Sequence, residues 1–585
     1  MKKPVATSLL VLVTAACTPM GPQAPGADMQ GSSSSPAPHQ TAASPQAEAR
    51  ARDEVARRAE GQRPVLAYDR AAGTQAVMPA PRPWPMPAPP TMDRERYQRF
   101  ESNPVRLVAE APVSTFGVDV DTGSYGNVRR MLVAGRLPPR DAVRVEEMIN
   151  YFPYDYPGPT DGHPFAVHAD MLDNPWRPGS RLLRIGIKGE DRARESLPPA
   201  NLVFLVDVSG SMRGADRLPL LKSSLKLLAQ RLRAEDRISL VSYASGTQLV
   251  LPATAGNEKA RILDAIESLQ AGGSTAGASG IELAYRTARQ AYMPDGINRI
   301  LLATDGDFNV GITDFDRLKS MVEERRKSGI ALSTLGFGAG NYNEHLMEQL
   351  ADAGDGAYSY IDSLMEAHKV LVNEASSTLE TIARDVKIQV EFNPALVSEY
   401  RLVGYENRAL AREDFNNDRV DAGDIGAGHT VTALYELTLA GSPGHVEPLR
   451  YGRHTPAGGG GGSPPAGEGA DRAHGQAAEF AFVRLRYKRP GESESTLLTR
   501  PVTSGDFRGL DSADDDSRFA VAVAGFGQLL RGGRYTGGWD WQAVRELAAG
   551  ARGPDSFGYR GEFLRLVDLA ASLGTPAPQP AGQGG

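Results

Sequence analysis

Asn201-Leu-Val-Phe-Leu-Val-Asp-Val-Ser-Gly-Ser-Met212 is the stretch on which the reading of this chain turns. Leu202 to Val206 is a continuous apolar run that ends on Asp207. Such a run suits a parallel strand covered by helices on both faces; a half-exposed strand would alternate. A small polar turn follows. Leu221, Leu225, Leu228 and Leu232 then recur every three to four residues, as on an amphipathic helix over Leu218 to Leu232. This order places Asp207, Ser209 and Ser211 at the carboxyl end of a strand, where open α/β sheets bind ligands.

The same alternation continues outward. Arg237 to Tyr243, Thr247 to Leu251, Ile300 to Thr304, Ile330 to Phe337 and Ala357 to Ile361 read as strands. Glu258 to Leu269, Ala278 to Tyr292, Phe315 to Ser328 and Glu344 to Ala353 read as helices. Residues 196–375 are therefore expected to form a doubly wound, Rossmann-like α/β domain with a mostly parallel sheet. Ile300-Leu-Leu-Ala-Thr ends on a second acid, Asp305, and Gly272-Gly-Ser-Thr-Ala-Gly277 carries Thr275 in a loop of small residues. Asp207, Ser209, Ser211, Thr275 and Asp305 together offer two carboxylates and three hydroxyls. An oxygen-only set suits a hard divalent cation, Mg²⁺ first, with Mn²⁺ or Ca²⁺ as alternatives. Each piece alone has an ordinary reading, since acids often follow buried strands and Ser-Gly-Ser is a common turn. The combination, in this order at two strand ends and a glycine-rich loop, is what points to a metal.

D-x-S-x-S with a following Thr and Asp resembles the metal-ion-dependent adhesion site of von Willebrand factor type A domains. The resemblance implies that Ser209, Ser211 and Thr275 ligate directly and that Asp207 and Asp305 act partly through water. It also implies an open coordination position for an Asp or Glu of a protein partner, and hence binding rather than catalysis. The loops Gly272–Gly277 and Asp307–Asp314 are expected to set partner choice. Val143-Arg-Val-Glu-Glu-Met-Ile-Asn-Tyr-Phe-Pro-Tyr-Asp-Tyr156 resembles the segment before the A domain in the YfbK-like bacterial lipoproteins, and the section after residue 376 resembles theirs as well.

Two enzyme readings use the same residues. A phosphatase of the haloacid-dehalogenase type needs D-x-D, and Ser209 stands in place of the second acid. An α/β-hydrolase elbow needs G-x-S-x-G, and Ser209 lacks both glycines in register. His163, His168 and His345 lie far from the site in sequence and read as ordinary surface or core histidines. A structural envelope protein without a metal-dependent partner is the other alternative.

The chain has 585 residues, a net charge of −7 and a single cysteine, so several domains are expected, with no basic patch for nucleic acid and no disulfide within the chain. Lys2 and Lys3, the apolar Leu9 to Ala16 and Thr14-Ala-Ala-Cys17 resemble a bacterial lipoprotein leader. On that reading residues 1–17 are a signal peptide, Cys17 is lipidated, and Thr18 directs the protein to the outer membrane. Residues 18–100, rich in Pro, Ala, Ser and Gln, cannot bury a core and should span about 50 Å as a linker. Residues 101–195 are read as an N-terminal region of strands and helices, in which Asp119 and Asp121 are taken for surface turn residues. Residues 376–575 turn β-rich, with Val386 to Phe392, Thr430 to Leu439 and Phe480 to Tyr487 alternating. A Gly- and Pro-rich insertion occupies 456–478, helices are expected at Asp516 to Leu530, Trp541 to Ala551 and Glu562 to Ser572, and 576–585 is a tail. The strands of 101–195 and those after 376 are expected to pair into one sandwich holding the A domain as an insert.

Overall fold

The computed structural model describes residues 95–274, 277–306, 315–447 and 479–574. The expectations for Cys17, most of the 18–100 linker, Thr275, Asp307–Asp314, the 456–478 insertion and the tail lie outside these residues. Among the described residues no helix is long and apolar enough to cross a membrane.

Before the central domain come β1 (Arg106–Leu107), β2 (Val113–Gly117), α1 (Gly123–Val133), α2 (Val145–Asn150), β3 (Phe165–Asp173) and β4 (Arg181–Gly189). The central domain runs β5 (Ala200–Asp207), α3 (Leu218–Arg231), β6 (Arg237–Tyr243), β7 (Thr247–Ala255), α4 (Lys259–Ser268), α5 (Gly277–Gln290) and β8 (Ile297–Thr304). It continues with α6 (Phe315–Arg326), β9 (Ala331–Phe337), α7 (Glu344–Ala353), β10 (Tyr358–Ile361) and α8 (Leu364–His368). Its sheet has the order β10-β9-β8-β5-β6-β7, parallel throughout except that β7 runs antiparallel to β6 at one edge. All of β5 is buried. Leu202, Phe204 and Val206 pack with Leu221, Leu225 and Leu228 of α3 and Ile262 and Ile266 of α4. Val203 and Leu205 point the other way, into Ile281, Ala284 and Ala288 of α5 and Val322 of α6. One apolar run thus supplies both halves of the core. Each such side chain contributes about 1.5–3 kcal/mol by leaving water.

The chain then forms β11 (Thr381–Phe392), β12 (Val397–Val403), β13 (Gly423–Gly426), β14 (Thr430–Leu439), β15 (Glu479–Lys488), β16 (Thr496–Thr503) and β17 (Phe507–Arg508). Helices α9 (Asp515–Leu530), α10 (Trp541–Gly550) and α11 (Tyr559–Gly574) follow. One outer sheet has the order β1-β12-β14-β4-β3-β17, and the other β13-β11-β15-β16 with β2 also on β11. Both sheets mix strands from before and after the central domain, so the expected shared sandwich is what the chain forms. Ile185, Ile187, Val431 and Tyr435 of one sheet meet Ile388, Val390, Val483 and Leu485 of the other. On the far side of the first sheet, Leu182 and Leu434 pack against Phe519, Phe526 and Phe563 of the C-terminal helices.

Asp119 and Asp121 correct the sequence reading. They are 2% and 3% exposed rather than surface turn residues. Arg408 holds both, with Nε 3.3 Å from Asp119 and Nη2 3.0 Å from Asp121, and Asp121 also accepts the Tyr358 N–H at 2.7 Å. A partner nearly three hundred residues away gives no local signal in the sequence.

Arg129 on α1 joins the parts. Its guanidinium reaches Asp362 (Nε–Oδ2 2.7 Å), Glu366 of α8 (2.7 Å), Glu562 of α11 (2.9 Å) and the Tyr151 hydroxyl (2.9 Å). Removing one member of a buried pair leaves the others charged and unpaired. Arg129→Ala should therefore lower stability by about 3–5 kcal/mol, read by urea denaturation.

A second buried cluster makes stability pH-dependent. Glu146 and Glu147 of α2 and Glu344 and Glu348 of α7 are buried in the neighbourhood of Arg144. Burial pushes the Glu344 carboxyl up to about 8, with Glu348 and Glu146 adding and Arg144 opposing. Burial, with Glu406 adding, pushes Glu146 up to about 7. An acid raised in the folded state contributes stability that is full below its unfolded value near 4.5 and is lost as pH rises through its folded value. Thermal midpoints should thus fall between pH 5 and 8. Glu344→Gln should flatten that fall and be more stable than the unmodified chain at pH 8, by differential scanning fluorimetry.

Candidate metal centre

The crevice lies where β5 and β8 end side by side. Asp207, the last residue of β5, has no exposed surface, and both of its carboxylate oxygens are engaged. Oδ1 accepts the Ser209 N–H at 2.8 Å, and Oδ2 accepts the Thr304 hydroxyl at 2.8 Å. Burial pushes this carboxyl up to about 6; the bonds from Ser209 and Thr304 pull it back, and Asp305 adds to the rise. After Asp207 the chain stays on β6 for one more bond, Val208 N–H to the Tyr243 carbonyl at 2.9 Å. A short 3₁₀ turn over Gly210–Arg213 then brings Ser211 back, so that its Oγ lies 2.9 Å from Ser209 Oγ.

The glycine-rich loop crosses above this turn. Gly210 N–H donates to the Gly273 carbonyl at 2.9 Å, and Gly272 N–H donates to the Val208 carbonyl at 2.7 Å. Ser274 N–H donates to Ser245 Oγ at 3.0 Å. Gly273 has φ +87° and a Cβ there would fall 2.5 Å from Ser245 Oγ, so the crossing requires glycine. The loop is thus anchored beside the Ser209 turn as far as Ser274, and Thr275 is outside the described residues.

Asp305 follows β8 and is also fully buried. Its Oδ2 accepts from Asn341 Nδ2 at 3.1 Å and lies 3.4 Å from Arg217 Nη1. Arg217 also donates to the Ser211 carbonyl, to the Ala339 carbonyl at 2.5 Å and to Asn341 Oδ1 at 2.8 Å. The structure therefore brings Asp207, Ser209, Ser211 and Asp305 to one crevice. It adds Thr304, Arg217 and Asn341, which the sequence reading did not single out. Thr304 had a signal, as the hydroxyl immediately before a strand-end acid. Asn341 lies in Gly338–Asn343, a loop the spacing puts after a strand at the same edge.

These residues fit a hard dication. Among the described residues no group of three or more His, Cys, Asp or Glu side chains is placed to hold a metal, so a site here depends on hydroxyls and water. The Ser209 and Ser211 hydroxyls are hydrogen-bonded to each other at 2.9 Å, a separation that adjacent vertices of an octahedron with bonds of about 2.0–2.1 Å also have. Both oxygens of Asp207 already accept from protein donors, so contact with an ion through a water would fit this carboxylate better than direct ligation at both oxygens. Its unusually high proton affinity is what an adjacent cation would offset.

Family models match most of the chain. One described as "von Willebrand factor" matches residues 91–184, the von Willebrand factor type A domain matches 201–374, and "Uncharacterized protein YfbK, C-terminal" matches 377–573. The protein YfbK of Escherichia coli (strain K12) is 48% identical over 482 residues, which cover 81% of each chain. The protein sll0103 of Synechocystis is 32% identical over 187 residues, 32% of this chain and 43% of its own. A solved von Willebrand factor type A protein from Catenulispora acidiphila is 16% identical, with a TM-score of 0.36, over 68% of this chain and 90% of its own. The type A domain is in general a protein-interaction module. By the extent of its likeness to YfbK and the three matching models in order, this chain belongs to the YfbK family, built around a von Willebrand factor type A domain.

Proposed function

We propose that this protein binds a protein partner through a divalent cation held by Asp207, Ser209, Ser211, Thr275 and Asp305, and that the partner contributes an exposed Asp or Glu. The observation that carries the reading is the convergence of the Ser209 and Ser211 hydroxyls, hydrogen-bonded at 2.9 Å, with two fully buried carboxylates. When bound, Mg²⁺ or Mn²⁺ supplies a positive centre with a free coordination position. The protein's own residues set the charge balance. Asp207 and Asp305 contribute two negative charges and Arg217 returns one, so a dication leaves the crevice net positive. An acidic side chain is then the favourable remaining ligand. His163 bonds the Tyr487 hydroxyl at 2.7 Å and His168 the Pro157 carbonyl at 2.8 Å.

The place of action in this reading is the bacterial cell envelope, with Cys17 lipidated and the folded body carried on the linker at the outer membrane. Loops Gly272–Gly277 and Asp307–Asp314 choose the partner. If the type A domain were purely structural, neither metal nor acidic partner would be needed.

Isothermal titration of Mg²⁺ and Mn²⁺ into the purified protein tests the site. Asp207→Ala should abolish binding while leaving far-UV circular dichroism unchanged; unchanged Mg²⁺ affinity in that variant would remove the assignment. Thr275→Ala should weaken partner capture more than metal binding. Cys17→Ser should move the expressed protein from the membrane fraction to the soluble one and abolish palmitate labelling.

A further inference from the structure

We propose that Glu95 is a positioning residue for the metal centre, acting through the loop Gly338–Asn343; this rests on the metal reading above. Glu95 starts the described chain, some two hundred residues before Asp305, and yet bonds to the rim of the crevice. Its Oε1 accepts the Gly340 N–H at 2.7 Å. Its Oε2 accepts from Arg130 Nη2 at 2.9 Å and from the Tyr97 hydroxyl at 2.7 Å. The next residue adds a backbone bond, Arg96 N–H to the Tyr342 carbonyl at 2.9 Å, which makes a parallel bridge with Asn343. The Glu95 side chain is only 2% exposed. A carboxylate taken this far out of water persists only where charged and neutral donors hold it, so the arm has one seat.

The loop it grips carries the contacts of the centre. Gly340 lies between Ala339, whose carbonyl takes Arg217, and Asn341, which bonds both Arg217 and Asp305. Arg217 in turn bonds the Ser211 carbonyl. A continuous run of bonds therefore joins Glu95 to a carboxylate and a hydroxyl residue of the site. Gly338 and Gly340 have φ of +78° and +92°. A Cβ at 338 would fall 2.3 Å from Arg217 Nε, so glycine is what lets Arg217 pass beneath the loop. The same glycines leave the loop with large backbone freedom, which an external bond must remove. Within the domain, Tyr360 holds the Gly338 carbonyl at 2.7 Å; the Gly340 N–H is held by Glu95.

Drawing Glu95 off Gly340 would loosen Asn341, which orients the Asp305 carboxylate and fixes Arg217 beside it, and so lower metal affinity. Because such coupling is reciprocal, the bound ion would also hold the arm down.

The test uses the full chain, with Mn²⁺ as the probe, and compares Glu95→Ala and Arg96→Pro, which break the seat at two different bonds. Mn²⁺ affinity is read by electron paramagnetic resonance, and amide exchange follows residues 338–343. The expected result is Mn²⁺ binding weakened about tenfold, the scale of supporting-shell substitutions. Exchange should quicken at 339–341 and stay unchanged in β15. Mn²⁺ should also slow exchange at 95–97 in the unmodified chain. If the unmodified chain binds Mn²⁺ and both variants bind it equally well, the positioning role is overturned. If the unmodified chain binds no Mn²⁺, the metal reading itself falls and takes this proposal with it.

Discussion

The buried carboxylate of Asp207 is the constraint around which the central domain is arranged. A strand covered on both faces gives its last residue no water, and a carboxyl there must be paid for by donors close at hand. Ser209 N–H supplies one from the turn that follows, and the Thr304 hydroxyl supplies the other from the neighbouring strand. These bonds fix the turn and the register of β5 against β8 at the same point. They also leave the Ser209 and Ser211 hydroxyls bonded to each other beside the acid. The geometry that satisfies an awkward buried acid is thus also the geometry on which the proposed cation site rests.

Arg217 extends this logic. Two buried acids side by side repel, and the guanidinium between Asp305, Ser211 and the Ala339–Asn341 loop lowers that repulsion. It offsets part of the negative charge that the two buried carboxylates bring together. The surrounding sandwich and helices hold the domain through pairs of the same kind. Arg129 and Arg408 each bind acids from both the domain and the segments around it. The central domain is therefore seated by buried charge as well as by apolar packing.

Much of this was readable in the residues, because much of it is local. The run Leu202–Val206, the leucines of α3 and the glycines before Thr275 encode strand, helix and crossing loop within a few residues of one another. Residue pattern alone predicts Glu344–Ala353 and Arg237–Tyr243 with the bounds that the structure has. What escaped depends on contacts across the chain. Asp119 and Asp121 look like turn residues until Arg408 is placed beside them. Val397–Val403 and Thr496–Thr503 take their strand form from neighbours on the sheet rather than from a marked alternation of their own. Arg217 reads as an ordinary charge before a helix, and its role appears only when the Gly338–Asn343 loop folds over it.

The most direct test of the central claim is anomalous diffraction from crystals of this protein soaked in Mn²⁺. The account predicts a manganese peak within bonding distance of Ser209 Oγ and Ser211 Oγ, with Asp207 in its outer coordination sphere and one position open to solvent or to a neighbour's carboxylate. Manganese bound elsewhere, with the Ser209–Ser211 crevice holding only water, would contradict it.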